Sequence, residues 1–190
     1  MRKLLSITTC ILFAGLSVTS CKKSDTKIDE DIVVTKPEKR QANTASDTLR
    51  RVNKIDRDIE RINNAGLKKT TYTYQCDEKI TIDYYAQEGT LFKVAIDYGY
   101  VGDGHNKREY YYDSGHVIYI YDFYEGGAVC ENCEMKTTIK KSYINNNLVI
   151  KHLENDVETA CNVCKLSDKD LAYTIISAQK TQDFKTLLCN

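Results

Sequence analysis

The chain has 190 residues, of which 42% are hydrophobic and 28% charged, with nine glycines and one proline. That composition excludes a collagen-like repeat and a chain disordered throughout. Lys plus Arg and Asp plus Glu each total 27, so no net basic field argues for a nucleic-acid partner. The unusual features are eight cysteines, and fourteen tyrosines without a tryptophan; all the tyrosines but Tyr173 lie between Tyr72 and Tyr143.

Arg2 and Lys3 precede an apolar or small run from Leu4 to Val18. The run is shorter than the ~20 residues needed to cross a ~30 Å hydrocarbon core, and its length and flanks read as a secretory signal over residues 1–20. Leu16-Ser17-Val18-Thr19-Ser20-Cys21 places an aliphatic residue and two small ones before a cysteine. It resembles the lipobox of bacterial lipoproteins. The resemblance implies diacylglycerol on the Cys21 thiol, cleavage before it, and acylation (palmitate) of the new amine. Two or three chains, at ~0.8 kcal/mol per buried methylene, hold a protein at a membrane without spanning it. Lys22 stands where an aspartate would resemble an inner-membrane retention signal, so the expected address is the cell envelope, at the outer membrane.

Residues 21–45 are mostly charged or small and polar, with Pro37 among them and only Ile32-Val33-Val34 as an apolar cluster. They read as a lipidated, solvated tether with a reach of ~25–30 Å. Residues 46–190 are long enough to bury one core.

Leu49, Val52, Ile55, Ile59 and Ile62 recur at three- and four-residue steps, predicting a helix that Ser46 or Asp47 caps and that ends at Asn63-Asn64-Ala65-Gly66. The period then becomes two. Thr71–Cys76, Lys79–Tyr85, Leu91–Tyr98, Arg108–Tyr112, Val117–Tyr124, Thr137–Ile144 and Leu148–Leu153 read as seven strands. Three of the turns are alike, with Gly89, Gly115 and an asparagine of Asn145-Asn146-Asn147 supplying the positive φ of a tight hairpin. Their unequal spacing suggests a degenerate hairpin repeat. Residues 79–153 resemble the aromatic-turn-Gly-x-aliphatic units of MORN-like repeats and of Tyr-rich exported lipoproteins. That resemblance implies an extended antiparallel sheet used for binding. Ser167 to Asp170 resembles a capping box opening a C-terminal helix. Leu171, Ile175 and Ile176 form its apolar face, with Phe184, Leu187 and Leu188 as further candidates. The expected fold class is α+β: a helix, an antiparallel meander of about seven strands, and a C-terminal helix.

Apart from Cys10 in the signal and Cys21, six cysteines remain: Cys76, Cys130, Cys133, Cys161, Cys164 and Cys189. An even number in an exported domain favours three disulfides. If residues 137–154 pair as a hairpin, the two CxxC pairs Cys130/Cys133 and Cys161/Cys164 meet at its open end. Their connectivity is then either across the hairpin or within each CxxC, and Cys76 pairs with Cys189 by elimination. Zinc held by Cys130, Cys133, Cys161 and Cys164 is the alternative, since four thiolates at CxxC spacing suit a tetrahedral site. Reversible thiol chemistry is another, although Glu131 inside the first CxxC opposes thiolate formation.

No catalytic constellation stands out. His105, His116 and His152 lack metal-ligand spacing. Gly99-Tyr100-Val101-Gly102-Asp103-Gly104-His105-Asn106 lacks a P-loop ending and reads as a flexible loop, and no serine sits in a GxSxG elbow. Tyr119, Tyr121 and Tyr124 have two readings: cross-strand packing, or an aromatic platform for a protein or glycan. The expected function is therefore a lipid-anchored envelope protein with a non-catalytic binding or structural role and no cofactor. The alternatives are an immunity or inhibitor lipoprotein, and a thiol-active or zinc-binding envelope factor.

Overall fold

The computed structural model describes residues 38–127 and 134–189, with side chains from Thr44 onward. Helix α1 (Glu38–Asn64) precedes strands β1 (Lys68–Gln75), β2 (Lys79–Gln87), β3 (Thr90–Val101), β4 (Gly104–Asp113) and β5 (His116–Gly126). Strands β6 (Lys136–Asn145), β7 (Leu148–Glu154) and β8 (Val157–Glu158) follow, then helices α2 (Leu171–Thr181) and α3 (Phe184–Leu188). The eight strands form one antiparallel sheet in chain order, so the fold is α+β built on a meander.

The strand count is eight rather than seven. After β7, Asn155 and Asp156 both take positive φ (49° and 66°), which reverses the chain and lays Val157–Glu158 beside Leu153 and Glu154. A two-residue strand is too short to show a period. The glycine-rich stretch 99–106 is likewise no loop. β3 runs to Val101 and β4 starts at Gly104, so only Gly102 and Asp103 make the turn, with Gly102 at φ 60°.

The three similar turns share one geometry. Glu88-Gly89, Ser114-Gly115 and Asn146-Asn147 are two-residue loops with positive φ at both positions (51°/79°, 52°/80° and 50°/61°), the type I′ form whose twist matches the flanking strands. Each is followed by a one-residue bulge. Tyr85 pairs with Lys93 but Ala86 with Leu91; Tyr111 pairs with Tyr119 but Tyr112 with Val117; Tyr143 pairs with Lys151 but Ile144 with Val149. Phe92, Ile118 and Ile150 are the extra residues. The bulge breaks alternation by putting two successive residues on the α1 face, Phe92 with Lys93, Ile118 with Tyr119 and Ile150 with Lys151, while Leu91, Val117 and Val149 serve the other.

Both faces of the sheet are thereby covered. On one, Val52, Ile55 and Ile62 of α1 bury against Tyr111, Tyr119 and Tyr143, whose rings meet edge-on at 5.5 and 5.1 Å between centroids. Asp56 accepts from Tyr143 Oη at 2.9 Å. Helix α1 begins at Glu38, inside the segment expected to be tether, so Ser46 and Asp47 lie within it rather than capping it. Leu49, expected on the apolar stripe, is 59% exposed. Arg51 already reaches Asn145, the last residue of β6.

On the other face α2 and α3 pack over Ile82, Tyr84, Val94, Ile96, Tyr112 and Ile144. Tyr84 and Tyr112 donate their buried hydroxyls to the carbonyls of Ile175 and Ala172, each at 2.7 Å. The C-terminal segment makes two helices, because Gln182 turns left-handed (φ 56°) and closes α2 on the carbonyl of Ala178. Asp183 then caps α3 by accepting from the Thr186 amide. Asp170, not Ser167, is the cap residue of α2; its carboxylate accepts from the Ser167 amide, which is half of the expected box.

Candidate functional site

Helices α2 and α3 leave part of their face of the sheet open, and register builds a polar floor there. Arg108 pairs with Asp122, Asp122 with Lys140, and Lys140 with Glu154 across β4, β5, β6 and β7. The row alternates in charge. Arg108 Nε donates to Asp122, and Lys140 Nζ stands 3.5 Å from Glu154. Burial works against the Arg108 charge, but Tyr110 and Asp122 outweigh it and push the guanidinium above its ordinary value. Burial pushes the phenols of Tyr98 and Tyr110 up, so both stay neutral donors.

Two cavities lie along this polar trough, and Arg108, Asp122 and Lys140 line both. The first, of about 410 Å³, is bounded by Tyr98, Asn106, Tyr124 and Thr138. The second, of about 330 Å³, runs beneath Cys161, Asn162 and Val163 to Ser142, His152 and the start of α2. Volumes of this size fall within the ~300–1,000 Å³ of small-ligand sites. In the second, Ser142 Oγ and His152 Nδ1 lie 2.8 Å apart as a cross-strand pair. Among the described residues no carboxylate bonds the other imidazole nitrogen, so the pair lacks the orienting acid of a hydrolytic triad.

Tyr124 has a distinctive seat. Gly104 and Gly126 are both buried, and a Cβ on Gly104 would stand 2.8 Å from Tyr124 Cε2, one on Gly126 2.7 Å from Tyr124 Cζ. No side chain fits at either position, so the ring rests on bare backbone. It is nevertheless 44% exposed, toward the trough. The other two tyrosines of the expected platform do not share this site. Tyr119 is 6% exposed beneath α1, and Tyr121 is half-buried on that same opposite face. The Ile118 bulge puts Tyr119 on the helix side, and ordinary alternation from there turns Tyr121 toward the helix and Tyr124 away from it. Of the three, only Tyr124 is exposed on the trough side of the sheet.

Cys76 and Cys189 form a disulfide with Cα atoms 5.4 Å apart, tying the β1–β2 loop to the end of α3. Cys161 and Cys164 form another, closed within the CxxC, also at 5.4 Å. Cys21, Cys130 and Cys133 lie outside the described residues. The expected meeting of the two CxxC pairs involves Cys130 and Cys133, outside the described residues, but the path to Cys161 and Cys164 is shown. The Asn155-Asp156 reversal carries residues 157–166 back along β7, so that the Val149 amide donates to the Cys164 carbonyl at 2.9 Å and Leu148 bridges Lys165. That lays Cys164 beside the turn end of the hairpin. Of the four cysteines of the alternative zinc site, Cys130 and Cys133 lie outside the described residues, and Cys161 and Cys164 are bonded to each other. Among the described residues no group of His, Cys, Asp and Glu is placed to hold a metal ion, and no helix is long and apolar enough to cross a membrane.

Cross-strand rows were beyond the reach of the sequence reading, since each depends on strand register. The signal for Tyr124 was its position between Gly104 and Gly126 in paired strands. Comparison with family models, with curated proteins and with solved structures finds no match to this chain.

Proposed function

We propose that this chain is an exported bacterial lipoprotein, acylated at Cys21 and held at the outer membrane, whose α+β body has a non-catalytic binding role. Support for the anchor comes from the signal-like run and from Leu16-Ser17-Val18-Thr19-Ser20-Cys21. Two disulfides in the body suit an oxidising compartment. The observation that carries the binding role is Tyr124, an aromatic ring fixed on two glycines with its exposed side on a polar trough. A ring held in advance loses little entropy when a ligand covers it, which is the advantage of a preorganised binding surface. An immunity or inhibitor lipoprotein is the same plan with a protein as the ligand.

The thiol-active alternative draws on the Cys161–Cys164 bridge, which lies in a loop with Val163 64% exposed beside it. Its cysteines open no helix, and the activating helix N-terminus of a redox CxxC is therefore missing there. The anchor is tested by detergent-phase partition of the full chain. The wild type is expected in the detergent phase and Cys21→Ala, with its signal uncleaved or its acyl chains missing, is expected to carry no acyl label. A wild-type protein without acyl label contradicts the reading.

A further inference from the structure

The cavity beside Tyr124 has two unlike ends, and what they select rests on the binding role proposed above. At one end the Tyr124 ring leans over Gly104 and Gly126. At the other, Arg108 pairs with Asp122, and Asp122 with Lys140. Four residues separate Gly104 from Arg108 and Asp122 from Gly126, about 13 Å of strand at ~3.3 Å per residue. The floor between the ends is Asn106 and Thr138, both paired with Tyr124 across the ladder. The charged end favours anions. Arg108 and Lys140 line the cavity with Asp122 as the only carboxylate, and Glu154 does not reach it. Lys107 also lines it, but alternation carries its ammonium to the opposite face, where Nζ stands 3.3 Å from Asp97. Asp122 accepts the Arg108 Nε–H, and the guanidinium carries four further N–H donors. The Tyr98 phenol, kept neutral by burial, adds an O–H donor to the same wall.

We propose that this one cavity binds a small oxyanion joined to a ring, a carboxylate or a phosphate monoester, with the charged group between Arg108 and Lys140 and the ring on Tyr124. Its volume of about 410 Å³ suits a single molecule of that kind. An oxyanion gains the planar guanidinium fork and an ammonium, whereas a cationic ligand meets two like charges for one partner. The Lys140–Glu154 pair does not saturate the site. At 3.5 Å, and with both side chains more than 40% exposed, it is a weak surface pair that a bound oxyanion replaces. Asn106 and Thr138 supply neutral polar groups to whatever links ring and anion. The two ends also fix the ligand's direction, because a reversed ligand would lay its anion on the negative face of the Tyr124 ring.

The test uses the full chain in a non-ionic detergent at low salt, with titrations followed by amide NMR of the labelled protein and detergent alone as the blank. The probes are 4-phenylbutyrate, its neutral amide and 4-phenylbutylamine, one ring with three charges, and 2-phenylethyl phosphate to separate phosphate from carboxylate. At least one of the two anions is expected to bind about tenfold or more tightly than the amide and the amine. Lys140→Gln is expected to weaken that binding about threefold or more, and Tyr124→Ala about tenfold. Asp122→Asn, which removes the one acid, is expected to tighten it, a gain that a merely structural role for Asp122 would not produce. Tyr121→Ala, on the opposite face, is expected to change it less than twofold. Unchanged tyrosine circular dichroism in each variant shows that a loss is not unfolding. Three results overturn the proposal: neither anion binds, the amide or the amine binds as tightly, or anion binding survives both Lys140→Gln and Tyr124→Ala. Amide binding equal to that of the anions and lost in Tyr124→Ala would remove the oxyanion site and leave the binding role of Tyr124 standing. Silence from the whole series would count against both. Acylation of Cys21, read by mass on the same samples, is independent of either result.

Discussion

Replacing both cysteines of one bridge by alanine separates two very different loops. Cys76 and Cys189 are 113 residues apart, and in the chain-entropy treatment closing a loop of that size restricts the unfolded chain by about 4.8 kcal/mol. Cys161 and Cys164 are three apart, and the same treatment gives less than ~2 kcal/mol. The long bridge also holds the end of α3 to the β1–β2 loop, and at the start of α3 Phe184 packs on Tyr72 of β1 at 5.3 Å between ring centroids. For a domain of this size each kcal/mol moves Tm by ~2–4 °C. Cys76→Ala/Cys189→Ala should therefore lower Tm by ~10–20 °C, and Cys161→Ala/Cys164→Ala by no more than ~8 °C. Urea unfolding of the full chain, followed by tyrosine circular dichroism because there is no tryptophan, checks the free energies directly. Equal losses from the two double variants, or a loss under ~2 kcal/mol for the long bridge, would refute the reasoning.

Tyr112→Phe and Tyr84→Phe each remove a buried hydroxyl that holds α2 to the sheet, and each should cost about 1 kcal/mol in the same urea assay. Lys93 joins Glu109 (2.8 Å), the Tyr111 hydroxyl (2.9 Å) and Asn63 (3.3 Å). Lys93→Met takes the cation from the Glu109 carboxylate, leaving it only the Tyr111 hydroxyl at 2.7 Å, and should cost ~1 kcal/mol. Burial holds the phenols of Tyr84, Tyr110, Tyr111, Tyr112, Tyr119 and Tyr143 above their ordinary value. Their folded pKa exceeds the unfolded one, so the stabilisation is complete below about pH 10 and is lost as pH rises above it. Phenolate absorbance should show these tyrosines ionising together with loss of circular dichroism; reversible titration of every tyrosine near pH 10 with the fold intact would contradict this. At the acid end, burial alone would raise Asp97, but the Gly99 amide, His105 and Lys107 outweigh it and hold the carboxyl below the usual range. The resulting stability is present above about pH 4 and lost as pH falls through the folded value, so Asp97→Asn should flatten the acid limb of a urea-midpoint profile.

The three matching turns were legible because Gly89, Gly115 and the asparagines are residues that tolerate positive φ, and two-residue spacing leaves few alternatives. The bulges after them were not. Leu91-Phe92, Val117-Ile118 and Val149-Ile150 are apolar pairs, and an apolar pair reads equally well as one inward residue beside one outward residue on a sheet covered on both faces. The early start of α1 had a signal in Pro37, which stands immediately before Glu38 and suits a helix opening. The cysteine arithmetic was sound only as far as Glu154. It assumed a straight continuation, and Asn155-Asp156, a pair well suited to left-handed turns, reversed the chain instead. The trough was invisible for a different reason: its row of Arg108, Asp122, Lys140 and Glu154 is scattered over four strands and exists only once register is known.

The central claim, an acylated envelope protein with a preformed trough, is tested most directly at its first mature residue. Mass spectrometry of the N-terminal fragment from the native membrane-associated protein should find Cys21 as residue one, carrying diacylglycerol on sulfur and a fatty acyl group on nitrogen. A fragment that begins upstream of Cys21, or begins at Cys21 with a free thiol and no acyl mass, would contradict it.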